Sequence, residues 1–335
     1  MAEPVLRVEG LKKYFPIKRS LIQTLKGEPI RYVKAVDGIS FDIKKQEVFA
    51  LAGESGCGKS TTGRLIVKLL EPTAGKIYLE GRDVTEITLK EEVLAYRKKV
   101  QIIFQDPFAS LNPRFRVFDI LEEPLLIHGI GDTRAEREEL IYKALETVRM
   151  TPPEEYVSRF PHMLSGGQRQ RVAIARALIL EPTFIVADEP VSMLDVSIRA
   201  EILELMKDLQ KRMGVTYLYI THDLSTARYF ADWIAIMYLG RIVEMGPANR
   251  VIDNPLHPYT RALLTAVPEP KPERRNVIKE LPIKGEVPNA VNIPPGCRFH
   301  PRCIYFKKGL CDQKQPELKE YEHNHWAECF RVGEF

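Results

Sequence analysis

Residues 48–60 read VFALAGESGCGKS, and this stretch decides the fold. The five apolar residues 48–52 are typical of a strand that is buried on both faces of a parallel sheet. The next eight residues match the phosphate-loop pattern, and residues 61–70 predict a helix. The alternative, a chance glycine-rich turn, does not explain a strand before the loop and a helix after it. The eight loop residues are Gly53, Glu54, Ser55, Gly56, Cys57, Gly58, Lys59 and Ser60.

The loop carries the chemical groups that bind a phosphate. Its glycines let the backbone wrap around the anion, and the helix that begins near Thr61 directs N–H groups and a partial positive charge at it. Lys59 adds a full positive charge at the outer phosphates, and the Ser60 hydroxyl is a ligand for Mg²⁺. We interpret Cys57 as a neutral filler of the loop. The stretch therefore predicts a site for nucleotide phosphates and Mg²⁺.

Strands and helices alternate along the rest of the first 255 residues. Short apolar runs at residues 184–187 and 217–220 predict two further buried strands. Apolar residues at helical spacing run from Ile198 to Met213, and Gly214 follows as a C-terminal cap. Thr133 and Glu136 predict a capping box at another helix start. This layout indicates an α/β fold, whose functional groups lie where strands end.

Two carboxylates, Asp188 and Glu189, follow the apolar run at 184–187. A strand end can bring Asp188 to the Mg²⁺ beside the phosphate loop. Glu189 then points at the terminal phosphate, where a general base that activates water contributes roughly 10²–10⁴-fold in rate. An apolar run that ends in Asp-Glu is common by itself, so the assignment depends on its pairing with the phosphate loop.

Composition excludes several classes of protein. The chain has 335 residues, of which 44% are apolar and 28% charged, and this balance rules out a mostly disordered chain. No run of eighteen apolar residues predicts a membrane span, and the first ten residues lack the profile of a secretory signal. The net charge of +4 does not demand a nucleic-acid partner.

The C-terminal part of the chain differs in composition from the rest. Nine of the 24 prolines lie in residues 267–316, and four of the five cysteines lie in the last 39 residues. We therefore predict a catalytic domain at 1–255 and a loop-rich extension at 256–335, with the boundary near residues 255–268. The four cysteines are Cys297, Cys303, Cys311 and Cys329.

Residues 164–171 read LSGGQRQR and precede an alanine-rich helical stretch. This motif resembles the signature of the ATP-binding cassette (ABC) ATPases. The resemblance implies a P-loop NTPase fold with a RecA-like core, a β-subdomain and a helical signature subdomain at about 107–170. It also implies ATP as the nucleotide and a head-to-tail pair of subunits, in which the signature of one covers the ATP held by the other. The signature residues implied to bind nucleotide are Ser165, Gly166, Gly167 and Gln168.

Two further residues resemble catalytic elements of that family. Gln105, in IIFQDP, resembles the Q-loop glutamine, which is implied to contact Mg²⁺ and to sense the membrane subunit. His222, in YITHD, resembles the switch histidine, which is implied to contact the γ-phosphate and to orient Glu189. No catalytic element is degenerate, so the chain is expected to supply both halves of a working ATP site.

Other family elements depart from the usual pattern or are less specific. Asp195 resembles the D-loop aspartate, although the family more often has alanine at the position of Met193. Phe15, with Tyr14 as the alternative, is expected to stack on adenine. Residues 17–32 resemble an insertion that occurs in one branch of a paired-subunit family.

The end of the chain narrows the resemblance. Residues 254–264, NPLHPYTRALL, and 296–303, GCRFHPRC, resemble the ATPase subunits of oligopeptide, dipeptide and nickel importers. The resemblance implies an ATPase that drives uptake of dipeptides or oligopeptides, with nickel or another small solute as the alternative. It also implies a peripheral position at the cytoplasmic face of the membrane. The implied partners are a second ABC ATPase subunit, related or identical, two transmembrane permease subunits, and an extracytoplasmic solute-binding protein.

Two other functional classes fit the sequence less well. A soluble ABC ATPase that acts on nucleic acid or ribosomes would carry a long coiled coil or a second cassette. Here Ser165 lies only 106 residues after Lys59, and one cassette is present. A scaffold without ATPase activity is disfavoured by the intact Asp188, Glu189 and His222.

The four clustered cysteines have five, seven and seventeen residues between them. Four thiolates suit an iron–sulfur cluster or zinc, while free thiols are the third alternative. A cytosolic setting disfavours disulfides. Similar tails of peptide-importer ATPases are associated with a [4Fe–4S] cluster, so the resemblance implies that cofactor, with zinc as the alternative. Any of three histidines is an alternative ligand: His300, His323 and His325.

Overall fold

The computed structural model describes residues 3–20, 25–266 and 283–335. The strands are β1 (Leu6–Pro16), β2 (Tyr32–Ile43), β3 (Val48–Ala52), β4 (Ala74–Leu79), β5 (Arg82–Asp83), β6 (Val100–Ile103), β7 (Phe184–Asp188), β8 (Thr216–Thr221), β9 (Trp233–Tyr238), β10 (Arg241–Pro247), β11 (Lys319–Glu322) and β12 (His325–Ala327). The helices are α1 (Lys59–Ile66), α2 (Lys90–Lys99), α3 (Pro107–Ser110), α4 (Val117–Ile127), α5 (Arg134–Thr147), α6 (Glu154–Val157), α7 (Gly166–Leu178), α8 (Val196–Met213), α9 (Leu224–Phe230), α10 (Ala248–Asp253) and α11 (Pro258–Ala266).

The larger sheet has the strand order β11-β12-β10-β9-β3-β8-β7-β6. Neighbouring strands from β6 to β9 along this order run parallel, whereas β10, β12 and β11 join the edge in antiparallel pairs. This architecture confirms the predicted α/β fold and the three strands predicted at 48–52, 184–187 and 217–220. The carboxyl ends of β3, β7 and β8 consequently lie side by side.

The unbroken apolar runs of the central strands have a packing reason. Successive side chains of a strand point to opposite faces, and here each face covers a different hydrophobic core. Ala50 of β3 belongs to the core that includes α7 and α8, while Phe49 and Leu51 belong to the core that includes β1 and β2. Because both faces are buried, neither set of positions tolerates polar side chains.

Helix boundaries agree with the sequence in most places. Gly214 ends α8 with a positive φ of 71°, and Thr133 and Glu136 form the predicted capping box of α5. The helix predicted at 61–70 instead ends at Ile66. Its carboxyl end is shorter because Lys68 has a φ of 54°, and the N–H groups of Leu69 and Leu70 turn back to the carbonyl of Arg64.

The smaller sheet has the order β2-β1-β4-β5, and its strands pair in antiparallel fashion. The predicted insertion at 17–32 connects β1 to β2, and its residues 21–24 lie outside the described residues. Helices α3 to α6 fill the range that was expected to form a helical subdomain. Across the part of the chain that the structure describes, we find no helix that is both long and apolar enough to cross a bilayer.

The C-terminal extension is anchored to the large sheet through Glu244 of β10. This carboxylate is fully buried and accepts hydrogen bonds from the backbone N–H groups of Leu256 (2.7 Å) and His257 (2.9 Å). Its Oε1 also lies 2.8 Å from Nε2 of His325 on β12. Burial lowers the pKa of His257 to about 3, so that side chain is neutral. Glu244, on a strand of the predicted catalytic domain, thus binds three residues of the predicted extension.

We expect Glu244→Ala to lower the free energy of unfolding by about 3 kcal/mol or more, because it leaves buried donors without an acceptor. Urea unfolding followed by tryptophan fluorescence measures this change. The matched control is Glu317→Ala, whose exposed carboxylate pairs only with exposed Lys319 in the described contacts and should cost less than about 0.5 kcal/mol. Equal stability of the two variants would contradict the anchoring role.

Candidate functional site

A cavity of about 630 Å³ opens at the carboxyl edge of the large sheet. The loop at residues 53–60 follows β3, Glu189 follows β7, and His222 follows β8, so all three meet there because the strands are adjacent and parallel. The walls consist of the loop residues other than Cys57, together with Ala35, Thr61, Gln105, Glu189, His222 and Leu263. The volume lies within the range of about 300–1,000 Å³ that small-molecule sites occupy.

Two glycines are required by the shape of the loop. Gly53 has a φ of 149°, and a Cβ there would lie 2.3 Å from the carbonyl oxygen of Met237. Gly58 has a φ of 114°, and its Cβ would lie 2.1 Å from the carbonyl oxygen of Ala35. Any other residue would push the loop away from the sheet. Since the first backbone N–H groups of α1 have no intrahelical partner, the tight loop presents them to the cavity.

Lys59 extends beneath this loop. Its Nζ donates hydrogen bonds to the carbonyl oxygens of Gly53 (2.8 Å) and Glu54 (3.0 Å), and the residue is only 4% exposed. Burial raises the pKa of the neighbouring Cys57 thiol, which keeps it neutral, as the sequence suggested. A buried ammonium whose hydrogen-bond acceptors are neutral carbonyls strongly favours an anion in the cavity.

Ser60 and Asp188 meet beside Lys59. The Ser60 hydroxyl donates a hydrogen bond of 2.9 Å to Oδ1 of Asp188, across the gap between α1 and the end of β7. Burial raises the pKa of Asp188, and the nearby Glu189 carboxylate adds to that increase, while the Ser60 bond opposes it. The pair brings two oxygen ligands of the type that Mg²⁺ prefers to one point of the cavity wall.

Glu189, Gln105 and His222 form a single hydrogen-bonded group in the wall of the same cavity. Oε2 of Glu189 accepts a hydrogen bond from Nε2 of Gln105 (3.0 Å) and lies 3.0 Å from Nδ1 of His222. Glu189 has a φ of 48°, an uncommon conformation for a residue with a side chain. The backbone at the end of β7 is therefore shaped so that this carboxylate faces the cavity with two partners.

The signature residues lie outside the cavity wall. Ser165 caps the N-terminus of α7, where its hydroxyl accepts the N–H of Gln168 (3.3 Å) and the Gln168 side chain accepts the N–H of Ser165 (3.0 Å). The Ser165 side chain is exposed. Asp195, which precedes α8 without a side-chain capping bond, and Met193 are also exposed. These groups face solvent in a single chain and remain available to another molecule.

Neither aromatic candidate for adenine stacking is among the residues that line the cavity. Tyr14 donates a hydrogen bond to the Asp37 carboxylate, and burial together with that bond raises the pKa of Tyr14 to about 12. Phe15 is half-buried, with Nζ of Lys13 5.3 Å from its ring centroid. Phe15 as the stacking residue therefore stays a prediction.

One residue of the extension lines the cavity and two others bind Glu54 in its wall, and the sequence did not identify any of the three as a site residue. Leu263 of α11 lines the wall, and the Tyr259 hydroxyl accepts the backbone N–H of Glu54 at 2.9 Å. Arg302 donates two hydrogen bonds to the Glu54 carboxylate, of 2.7 and 3.1 Å. No local pattern signals these contacts, because they join positions more than 200 residues apart.

The four clustered cysteines all line a second cavity, which is smaller than the first, together with His257 and His300. Burial raises the pKa of Cys297 to about 12 and that of Cys329 to about 11. His325 is instead engaged with Glu244. Within residues 3–20, 25–266 and 283–335, no group of three or more His, Cys, Asp or Glu side chains has the geometry to hold a metal ion. The [4Fe–4S] cluster therefore stays a prediction.

Comparison with known proteins gives two family matches. Residues 36–192 match the ABC transporter family, and residues 243–311 match the C-terminal region of the oligopeptide/dipeptide transporters.

Similar individual proteins agree with both matches. The oligopeptide transport ATP-binding protein AppF of Bacillus subtilis is 46% identical over 98% of this chain and 97% of its own length. The dipeptide transport ATP-binding protein DppF of Escherichia coli is 45% identical over 100% of this chain and 96% of its own. A dimeric post-hydrolysis structure of the ATP-binding cassette MJ0796, bound to ADP and Pi, is 30% identical. The match covers 72% of this chain and 98% of the chain in that structure, with a TM-score of 0.62.

Proposed function

This chain belongs to the ABC transporter family and carries the C-terminal region of the oligopeptide/dipeptide transporters. We therefore propose that it couples ATP hydrolysis to the uptake of dipeptides or oligopeptides. It is an ATPase of the ABC type. The observation that carries the proposal is the hydrogen-bonded group of Gln105, Glu189 and His222, which faces the phosphate loop across one cavity.

The phosphate chain of ATP is proposed to lie along the N–H groups of the loop and the start of α1, with Lys59 at the outer phosphates. Ser60, Asp188 and Gln105 supply oxygen atoms suited to Mg²⁺, and the contact between Ser60 and Asp188 supports that assignment. When bound, the ion neutralises phosphate charge. The raised pKa of Asp188 reflects a buried carboxylate that a cation would stabilise.

Glu189 is the proposed general base. Its carboxylate takes a proton from the attacking water while the water oxygen bonds to the γ-phosphorus and the bond from that phosphorus to the bridging oxygen breaks. His222 and Gln105 hold the carboxylate through Oε2, which fixes the direction in which its other oxygen points. Phe15 is proposed to contact the adenine.

A second ABC ATPase subunit, either a copy of this chain or a related one, is proposed to complete the site. Two exposed residues support this, because Ser165 at the start of α7 and Asp195 at the start of α8 are both accessible to another molecule. Gly166, Gly167 and Gln168 would add backbone donors to the triphosphate of the partner. The ATP then lies between two proteins and stabilises their contact.

The remaining partners and the location follow from the family branch. We propose two transmembrane permease subunits, an extracytoplasmic solute-binding protein, and a peripheral position at the cytoplasmic face of the membrane. Relatives named for oligopeptide and dipeptide transport favour peptides over nickel or another small solute. The same names favour transport over an activity on nucleic acid or ribosomes.

A [4Fe–4S] cluster is proposed at the cavity shared by Cys297, Cys303, Cys311 and Cys329. Four thiols line this one cavity, and they are the donor type that such a cluster uses, which supports the proposal. When bound, the cluster would crosslink three parts of the extension that are distant in sequence. We assign it a structural role.

We expect Glu189→Gln to lower kcat for ATP hydrolysis by roughly 10²–10⁴-fold, because the amide cannot accept the proton. Binding of ATP should persist, and a closed dimer should accumulate in size-exclusion chromatography with ATP. Glu201→Gln is the matched control, since that carboxylate is an exposed partner of Arg171. Multiple turnovers by Glu189→Gln at the wild-type rate would remove Glu189 from its role.

Lys59→Ala should raise the Kd for ATP by more than about tenfold, because a charge-assisted contact to the phosphates is lost. Titration with a fluorescent ATP analogue measures this value. Lys211→Ala, on the exposed last turn of α8, serves as the control. An unchanged Kd in Lys59→Ala would argue that ATP does not bind at this loop.

Protein purified without oxygen should be brown and contain about four irons per chain, as the proposed cluster requires. Metal analysis and the visible absorption spectrum provide the measurement. Colourless protein with one equivalent of zinc would replace the cluster by the zinc alternative, and protein without either metal would overturn both.

A further inference from the structure

The segment Cys297-Arg298-Phe299-His300-Pro301-Arg302-Cys303 has a cysteine at each end and an arginine beside each of them in the chain. Both arginines are buried, although they lie in a loop-rich extension: Arg298 is 8% exposed and Arg302 4%. A buried guanidinium requires acidic partners. Those partners come from the nucleotide-binding part of the chain, not from the extension.

Arg302 is fixed on the phosphate loop. Its two terminal nitrogens donate to the two carboxylate oxygens of Glu54, at 2.7 and 3.1 Å, in the bidentate geometry that only arginine offers. The guanidinium also lies about 6 Å from the ring centroids of Tyr238 and Phe299, whose packing limits its movement. Glu54 is therefore held by its carboxylate, while Tyr259 holds its backbone N–H.

The charge of Glu54 explains why such a clamp is useful. Glu54 lines the cavity, and a free carboxylate there would repel a triphosphate. Pairing with Arg302 cancels this charge and draws the side chain toward the extension. The same bond fixes the residue whose carbonyl accepts from Lys59. Arg302 thus acts on the phosphates through Glu54 without needing to touch them.

The other arginine makes a parallel connection. Arg298 donates to the carboxylate of Asp37, which also accepts from Tyr14 on β1, and to the carbonyl of Leu239. Between the two arginines the chain forms a short 3₁₀ turn over His300–Arg302, and the N–H of Cys297 donates to the carbonyl of Cys311 at 2.8 Å. The segment is thus attached at both ends, and a shift at Cys303 moves Arg302 directly.

We propose that Arg302 is a positioning residue of the phosphate loop and that it couples the cysteine cavity to ATP binding. The inference rests on the proposed function, because it takes the first cavity as the ATP site. Whatever orders the cysteine segment then tightens ATP binding. By reciprocity of binding free energies, ATP makes the cysteine segment less mobile.

The first test is a charge-rescue experiment, which compares the Kd of a fluorescent ATP analogue among variants of Arg302 and Glu54. Arg302→Gln leaves Glu54 unpaired at the phosphates and should raise the Kd about tenfold. The Kd of Arg302→Lys should lie between that of wild type and that of Arg302→Gln. The double variant Glu54→Gln/Arg302→Gln lacks the repelling charge and should return to within about threefold of wild type. A purely structural role of Arg302 would not produce this rescue of affinity.

Arg137→Gln is the matched control, because Arg137 pairs with Glu122 at 2.9 Å in a partly buried bridge between α4 and α5. Its Kd should equal that of wild type. An Arg302→Gln Kd equal to wild type, or a double variant that binds as weakly as the single one, would overturn the positioning role. If Arg302→Gln fails to fold, Arg302→Lys and the double variant still decide the matter.

The second test measures the coupling from the other side. Hydrogen–deuterium exchange of the backbone at residues 297–303 is followed by mass spectrometry on the protein as purified, because this readout is independent of the state of the cysteine thiols. ATP should slow exchange in this segment in wild type and have no effect in Glu54→Gln/Arg302→Gln, which still binds ATP but lacks the connection. Absence of protection in wild type, or equal protection in the double variant, would overturn the coupling.

The two proposals fail in different ways. If the wild-type chain does not bind the ATP analogue, or if Lys59→Ala binds it equally well, the proposed function fails. If wild type binds, Lys59→Ala does not, and Arg302→Gln binds like wild type, only the role of Arg302 fails.

Discussion

Parallel pairing of β3, β8 and β7 is the constraint on which the rest of the structure depends. Ala52 at the end of β3 stands opposite Thr221 of β8, and Asp188 at the end of β7 stands opposite Ile220. Because the three strands end level with one another, the residues that follow them enter one space. Glu189 and His222 follow the phosphate loop by more than 100 residues and lie 33 residues from each other in the chain. These residues come together because the register of the parallel strands places the ends of β3, β7 and β8 side by side.

The charges at this edge are arranged so that each buried group has a counterpart. Asp188 is bonded to Ser60, Glu54 to Arg302, and the Lys59 ammonium to loop carbonyls. An unpaired charge in a partly buried cavity is costly, and the preferred relief for Lys59 is an anion. The chemistry of the cavity therefore depends on which charges are already neutralised, and the Arg302 guanidinium neutralises the carboxylate of Glu54.

The C-terminal extension takes part in the catalytic unit structurally. Its strand β12 pairs with β10 of the large sheet, and Glu244 of β10 accepts hydrogen bonds from the backbone N–H groups of Leu256 and His257 at the start of the extension. Tyr259, Leu263 and Arg302 then reach the phosphate loop or the cavity wall. The change in proline and cysteine content near residue 255 marks a difference in local structure, while the packing across it is continuous.

The sequence by itself determined the α/β class, the three buried strands, the phosphate loop and the carboxylate pair after β7. These features are local: an apolar run, a turn that only glycine permits and a helix start are all encoded within a few neighbouring residues. Only the tertiary structure decided that Gln105, Glu189 and His222 share hydrogen bonds, that four cysteines line one cavity, and that Arg302 clamps Glu54. Such contacts join distant positions, and they depend on strand order and on which charges are buried together, neither of which leaves a local pattern.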